Sequence, residues 1–141
     1  MPTLYLIRHA EPANHGNSDA ERPLTPRGRK QAQWMARFLR DKNIRELRTA
    51  PHLRCRETAE LIGEALGIAP RVDPALHIAR SFLVEPPAHN AVWVAHSNNI
   101  PDAVEALGAN CNACGHASAW ALELDETGQL VSATYTNPVV A

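Results

Sequence analysis

Apolar residues fall along this chain in two rhythms, short unbroken blocks and longer stretches that repeat near every 3.6 residues. The block Leu4-Tyr5-Leu6-Ile7 follows Pro2 and predicts a first strand over residues 3–7. Residues 10–24 carry Pro12, Gly16, Asn17, Asp19 and Pro23 and read as a loop. Thr25-Pro26 pairs a capping hydroxyl with a proline suited to the first helical position. Beyond it Trp34, Met35, Phe38 and Leu39 recur on one helical face, with Arg37 and Arg40 among them, and that face reads as core packing. A weak strand over 47–50 ends at Pro51. Thr58, Leu61, Ile62, Ala65 and Leu66 share a face of a second helix over about 54–66, which Gly67 is suited to stop.

Ala91-Val92-Trp93-Val94-Ala95 is unbroken, as expected of a strand covered on both faces. A helix is predicted from Asn99 to Leu107, with Pro101 near its start and Gly108 just past its end. Residues 118–124 and 130–136 alternate around Glu126-Thr127-Gly128 and predict a hairpin. Strand and helix in alternation, closed by a hairpin, imply an α/β fold: a three-layer α/β/α sandwich with a mostly parallel central sheet and an antiparallel C-terminal edge. No repeat, linker or low-complexity tract divides the sequence, so residues 1–141 read as one domain.

Composition narrows the function. Hydrophobic residues make up 45% and aromatics only 5%, so Leu, Val, Ile and Ala must fill the core. A net charge of −1 supplies no general field for nucleic acid or anionic lipid, so any anion site must be a local cluster of basic groups. No apolar run approaches the ~20 residues of a membrane span. The N-terminal apolar stretch is short and ends in charge, unlike a secretory signal, so a cytoplasmic location is expected. Oligomeric state is left open. Cys111 and Cys114 have the spacing of a metal knuckle or redox pair, with His116 nearby. A zinc site wants further ligands at matching spacing and none follows, so these thiols read as incidental to a loop, with redox or metal work as alternatives.

The chemistry gathers at strand ends, where open α/β sheets collect ligands. The first strand ends in Arg8-His9. The second leads through Thr49-Ala50-Pro51 to Arg54 and Arg56. The long apolar strand ends in His96-Ser97-Asn98-Asn99. If these strands are neighbours, arginines and histidines converge near a helix N-terminus, where free N–H groups favour an anion. Arginine forks match phosphoryl oxygens. A guanidinium beside an imidazole keeps the ring neutral, with a lone pair for attack on phosphorus. A second, protonated imidazole would add charge to the equatorial oxygens.

Leu6-Ile7-Arg8-His9-Ala10-Glu11 resembles the signature strand end of the histidine phosphatases, the phosphoglycerate-mutase-like superfamily. Residues 24–32, 49–59 and 95–101 are similar to that family's lead-in to its first helix, its second arginine segment and the second-histidine segment of a short bacterial branch that includes phosphohistidine phosphatases. The four motifs stand in family order. Ala10 replaces the usual glycine, a change some branches share, and Thr49-Ala50-Pro51 replaces Ser-Ser-Pro, so a hydroxyl is lost.

The resemblance implies that His9 is the nucleophile and that Arg8, Arg54 and His96 form the phosphate pocket, with Asn98 and Ser97 as further phosphate contacts. No metal or organic cofactor is implied. Family members place a general acid between the second arginine and the second histidine. Glu85 is the best-placed carboxylate, with Glu11 and Asp73 as rivals. Arg56 is expected to be structural, and His15, His52, His77, His89 and His116 to lie on the surface. The short stretch between Leu66 and His96 implies an open pocket that admits bulky substrates. The reading is a metal-independent phosphatase acting on a phosphorylated small molecule or phosphoprotein, a phosphomonoester or protein phosphohistidine, through a phosphohistidine on His9. The alternative is a phosphate-binding or regulatory module of the same fold.

Overall fold

β1 (Thr3–Arg8) runs through the interior of a six-stranded sheet, and its four apolar residues are buried from both faces. The computed structural model describes residues 1–140. After β1 come α1 (Pro26–Leu39), β2 (Glu46–Thr49), α2 (Leu53–Leu66), β3 (Arg71–Val72), β4 (Ala91–Ala95), α3 (Asn99–Ala106), β5 (Ala119–Leu124) and β6 (Leu130–Thr136). The strand order is β3-β2-β4-β1-β5-β6. β1 pairs in parallel with β4, β4 with β2, and β2 with β3. β5 lies antiparallel to both β1 and β6. The sheet is therefore mostly parallel, with the hairpin along its C-terminal side.

β4 is buried at Ala91, Val92, Val94 and Ala95, which explains its lack of polar alternation. The register sets Arg8 beside Ala95, so β1 and β4 deliver His9 and His96 at one level beyond the sheet. Right-handed crossovers place α1 and α2 on one face, and α3 with the segment after β3 on the other. Ala32 of α1 and Leu61 of α2 accordingly share a buried cluster with Ala10, Leu24 and Ala117. On the opposite face, the Asn99 side-chain amide donates to the Leu76 and His77 carbonyls at 3.1 and 3.2 Å.

α1 begins where the sequence signals it. Thr25 Oγ1 accepts the Gly28 N–H at 2.9 Å, and Pro26 occupies the first turn. Met35 and Leu39 are fully buried, each contributing about 1.5–3 kcal/mol on removal from water. Trp34 and Phe38 lie at the margin of that face, with rings stacked at 5.9 Å. Gly28 is required by proximity: a Cβ there would stand 2.3 Å from the Glu11 carbonyl oxygen. α2 ends at Gly67, in the left-handed region at φ 72°.

Three features depart from the sequence expectation. β3 was not anticipated, because two exposed residues carry no periodic pattern. The loop over 10–24 contains a single 3₁₀ turn, Asp19–Glu21, and a bridge between Pro12 and Leu24. α2 starts at Leu53 and α3 stops at Ala106. Among the described residues no helix is long and apolar enough to cross a membrane.

Candidate active site

Where β1 and β4 end side by side, the His9 N–H donates to the Ala95 carbonyl at 3.1 Å. The His9 and His96 rings then meet edge to face, centroids 5.5 Å apart. Arg54 arrives from the first turn of α2. A cleft of about 550 Å³ opens beyond these strand ends, lined in part by Arg8, His9, Glu11, Asp19, Arg54 and His116.

His9 is 5% exposed. Its Nδ1 lies 2.9 Å from the Ala10 carbonyl oxygen, which can only accept, so Nδ1 carries the hydrogen and Nε2 keeps the lone pair of a neutral ring. Burial, reinforced by Arg8, Arg54 and His96, lowers the ring's pKa to about 3 against the opposing pull of the Ala10 hydrogen bond. The strand end itself is clamped. Thr58 Oγ1 accepts the Ala10 N–H at 2.9 Å and donates to the Arg54 carbonyl at 2.7 Å, linking the His9 turn to α2.

Both arginines are partly committed. Arg8 donates Nη1–H to the Cys114 carbonyl at 3.0 Å, while its buried Nε has no protein partner. Arg54 donates from Nη1 to the Asp19 carbonyl at 2.8 Å and from Nη2 to the Asp19 carboxylate at 3.3 Å. His96 is held by its backbone, whose N–H donates to Asn99 Oδ1 at 2.9 Å. Its Nε2 faces Cys55 Sγ at 3.6 Å, and its Nδ1 is buried without a protein partner. The proton that would let His96 act as a charged donor is disfavoured in the free protein. Burial first, then His52, Arg54 and His77, push the His96 pKa down to about 3.

A sequence model described as the histidine phosphatase superfamily (branch 1) matches residues 4–77, just over half of the chain and inclusive of Arg8, His9 and Arg54. The chain belongs to the histidine phosphatase superfamily. Solved structures agree on the fold. That of the protein histidine phosphatase SixA complexed with tungstate is 21% identical with a TM-score of 0.81, covering 96% of this chain and 97% of that one. A mycobacterial glucosyl-3-phosphoglycerate phosphatase is 19% identical at a TM-score of 0.72, with 96% of each chain covered. A phosphoserine phosphatase from Entamoeba histolytica, in complex with 3-phosphoglyceric acid, is 16% identical at 0.71, covering 96% of this chain and 98% of the other. No curated protein sequence matches the chain.

Within this superfamily member the remaining sequence candidates separate. Glu85 is not brought to the cleft. It lines a different hollow with Glu46, Arg48 and Trp93, near the amino end of β2, so the placement expected for it as general acid is corrected. Asp73 is also elsewhere, accepting from Arg48 at 3.2 Å and capping Ala75 at 3.0 Å. Glu11 alone of the three carboxylates lines the cleft, 3.4 Å from Arg27 Nε. The Asn98 amide donates to the carbonyl of Ile78, a residue of the cleft wall, at 2.7 Å, and Ser97 lines the cleft directly. Arg56 donates to the Pro51 carbonyl at 2.9 Å. Cys111 and Cys114 carry free thiols.

Three histidines read as surface residues are not. His116, His9, His96, His52 and His77 form one chain of neighbouring rings, with successive centroids 5.9, 5.5, 4.6 and 4.6 Å apart. His52 is buried, and His77 and His116 are half-buried. His15 and His89 are exposed. Sequence reasoning also passed over Asn99, Thr58 and Asp19. Asn99 and Thr58 stood inside the quoted motifs, and only their polarity at otherwise apolar helical positions could have singled them out.

Proposed function

We propose that this protein is a metal-independent phosphatase that hydrolyses a phosphomonoester or a protein phosphohistidine through a phosphohistidine intermediate on His9. One observation carries the reading. The nucleophilic ring is locked by its Nδ1–H onto a backbone carbonyl and kept neutral by burial beside two arginines, so Nε2 offers a lone pair at a cationic strand end. The match to the superfamily supports it, as does the occurrence of tungstate, a tetrahedral oxyanion, in the SixA structure.

In the first step Nε2 attacks phosphorus as the bond to the leaving oxygen or nitrogen breaks, and the leaving atom takes a proton. Water then attacks phosphorus, the nitrogen–phosphorus bond breaks, and inorganic phosphate departs with the ring's lone pair restored. In this reading Arg8 and Arg54 meet the transferring group from the cleft wall, and His96 backs it from beside the His9 ring. Charge-assisted hydrogen bonds from such donors contribute roughly 1.5–3 kcal/mol each. The chain of imidazoles crowds His96 with cation-capable neighbours, so an arriving dianion raises its affinity for a proton and gains a further charged donor.

The test is turnover of p-nitrophenyl phosphate and of a phosphohistidine protein in the presence of EDTA, beside His9→Ala. Turnover that survives chelation and disappears in the variant is the expected result. Binding of these substrates without turnover would instead identify a phosphate-binding module.

A further inference from the structure

We infer that His116 is the proton donor to the leaving group and, in the second half-reaction, the acceptor of the proton from the attacking water. The inference rests on the phosphatase reading above and supplies the acid that the carboxylates near the strand ends do not. Its ring faces the same cleft as His9, centroids 5.9 Å apart. Among the described residues neither of its ring nitrogens has a hydrogen-bond partner, unlike His9, whose Nδ1 is fixed to Ala10. Of the two carboxylates in the cleft wall, Glu11 lies 3.4 Å from Arg27 and Asp19 lies 3.3 Å from both Arg22 and Arg54.

The backbone holds His116 there at a cost. Ala117 is fully buried and adopts φ 57°, a left-handed conformation that disfavours a residue with Cβ by roughly 1–2 kcal/mol. Strain of this kind persists only where surrounding contacts over-determine it, and it clusters at active sites. Here the contacts lead to the nucleophile. The Ala117 N–H donates to the His9 carbonyl at 3.2 Å, and the Arg8 N–H to the Ser118 carbonyl at 3.1 Å. Gly115 is pinned from behind by Tyr135 Oη at 2.9 Å, and a Cβ at Gly115 would stand 2.6 Å from Asn137 Oδ1. The turn therefore fixes His116 against the end of β1.

In the free protein burial, Arg8 and Arg27 lower the affinity of His116 for a proton and Glu11 opposes them only in part, so the ring gives up a proton more readily than a free imidazole. A bound phosphoryl dianion neutralises Arg8 and shifts the balance toward imidazolium. In the first step the imidazolium gives its proton to the leaving oxygen or nitrogen as the bond from that atom to phosphorus breaks and His9 Nε2 bonds to phosphorus. In the second, neutral His116 takes a proton from water as the water oxygen bonds to phosphorus and the bond to His9 breaks. The starting imidazolium is thereby restored.

The test uses leaving groups that differ in their need for a proton. p-Nitrophenolate departs unaided, whereas the alkoxide of β-glycerophosphate does not. In His116→Gln, the single-turnover rate of His9 phosphorylation should fall by about 10²-fold or more with β-glycerophosphate but by less than about threefold with p-nitrophenyl phosphate. His116→Ala should show the same split, with β-glycerophosphate turnover partly restored by added imidazole. Equal losses on both esters, or none on either, would overturn the assignment even if His9→Ala abolishes turnover. A wild-type protein that hydrolyses neither ester would remove the phosphatase reading and this assignment together.

Discussion

Two hollows lie at opposite ends of this sheet, and their charges differ in kind. The cleft beyond the carboxyl ends, about 550 Å³, counts Arg8, Arg22 and Arg54 against Glu11 and Asp19 in its walls. The hollow near the amino end of β2, about 290 Å³, counts Arg48 against Glu46 and Glu85. Arg48 is spent there. Its terminal nitrogens donate to Glu46 at 3.0 Å and Asp73 at 3.2 Å, and its guanidinium stacks over Trp93 at 5.1 Å. Among the described residues Arg8 meets no carboxylate and donates only to a neutral carbonyl. The difference teaches that arginines mark an anion site where they outnumber the carboxylates around them, as where one Asp19 serves both Arg22 and Arg54, not merely when they line a concavity.

Removing an arginine from each end sharpens the contrast most. Arg8→Ala should lower kcat/KM for p-nitrophenyl phosphate by about 10–150-fold, the loss of one charge-assisted bond of roughly 1.5–3 kcal/mol. Arg48→Ala should leave it within about twofold, since the phosphoryl group never meets that side chain. Equal losses in steady-state assays would break the comparison.

The next largest effect is on stability. Asn99 is buried and satisfies the His96 N–H and two carbonyls of the facing segment, so Asn99→Ala strands backbone groups and should cost about 1–3 kcal/mol in a urea melt. A variant within about 0.5 kcal/mol of wild type would show that the clasp around His96 is dispensable.

Acid should then act on the two ends in different pH ranges. His9 and His96 titrate near 6.5 when unfolded and at about 3 when folded. The unfolded chain therefore binds more protons between those values, so their contribution to stability is complete above about pH 6.5 and is lost progressively toward about pH 3. At the amino end, burial pushes the Glu46 carboxyl up, but hydrogen bonds from Trp93 and Arg48 hold it net below its usual value. Its contribution is lost only as pH falls through the lower carboxylate range. His96→Gln should flatten the stability profile between pH about 6.5 and about 4.5, above the carboxylate range, whereas Glu46→Gln should leave that upper window unchanged. Denaturant melts across the range decide this.

The smallest expected effect concerns the carboxylates. Glu11→Gln should reduce turnover of β-glycerophosphate by about tenfold, as the counter-charge of His116 is lost, while Glu85→Gln should change it less than twofold. A large loss from Glu85→Gln would reverse their placement.

β1 and β4 were legible because strands covered on both faces must be apolar without interruption, and each ends abruptly in the residues that form the cleft. Arg54 was legible from its place at the start of a helix. Glu85 misled because distance along the chain does not fix the end of the sheet at which a residue emerges. Residues 85–87 run along the amino end, beside Met1, Pro2 and Glu46, and six strand residues of roughly 3.3 Å rise separate that end from His9. His116 was hidden for another reason. Its position depends on a left-handed alanine and on hydrogen bonds to β1, neither of which leaves a periodic trace. His52 was hidden because only the orientation of α2 turns the residue before it inward.

The central claim is tested most directly by rapid acid-free quenching during turnover of p-nitrophenyl phosphate, followed by peptide mass spectrometry to locate the phosphoryl group. The account predicts an acid-labile, alkali-stable phosphoryl group on His9, absent from His9→Ala. Turnover with a phosphoryl group on another residue, or as an acid-stable ester, would contradict it.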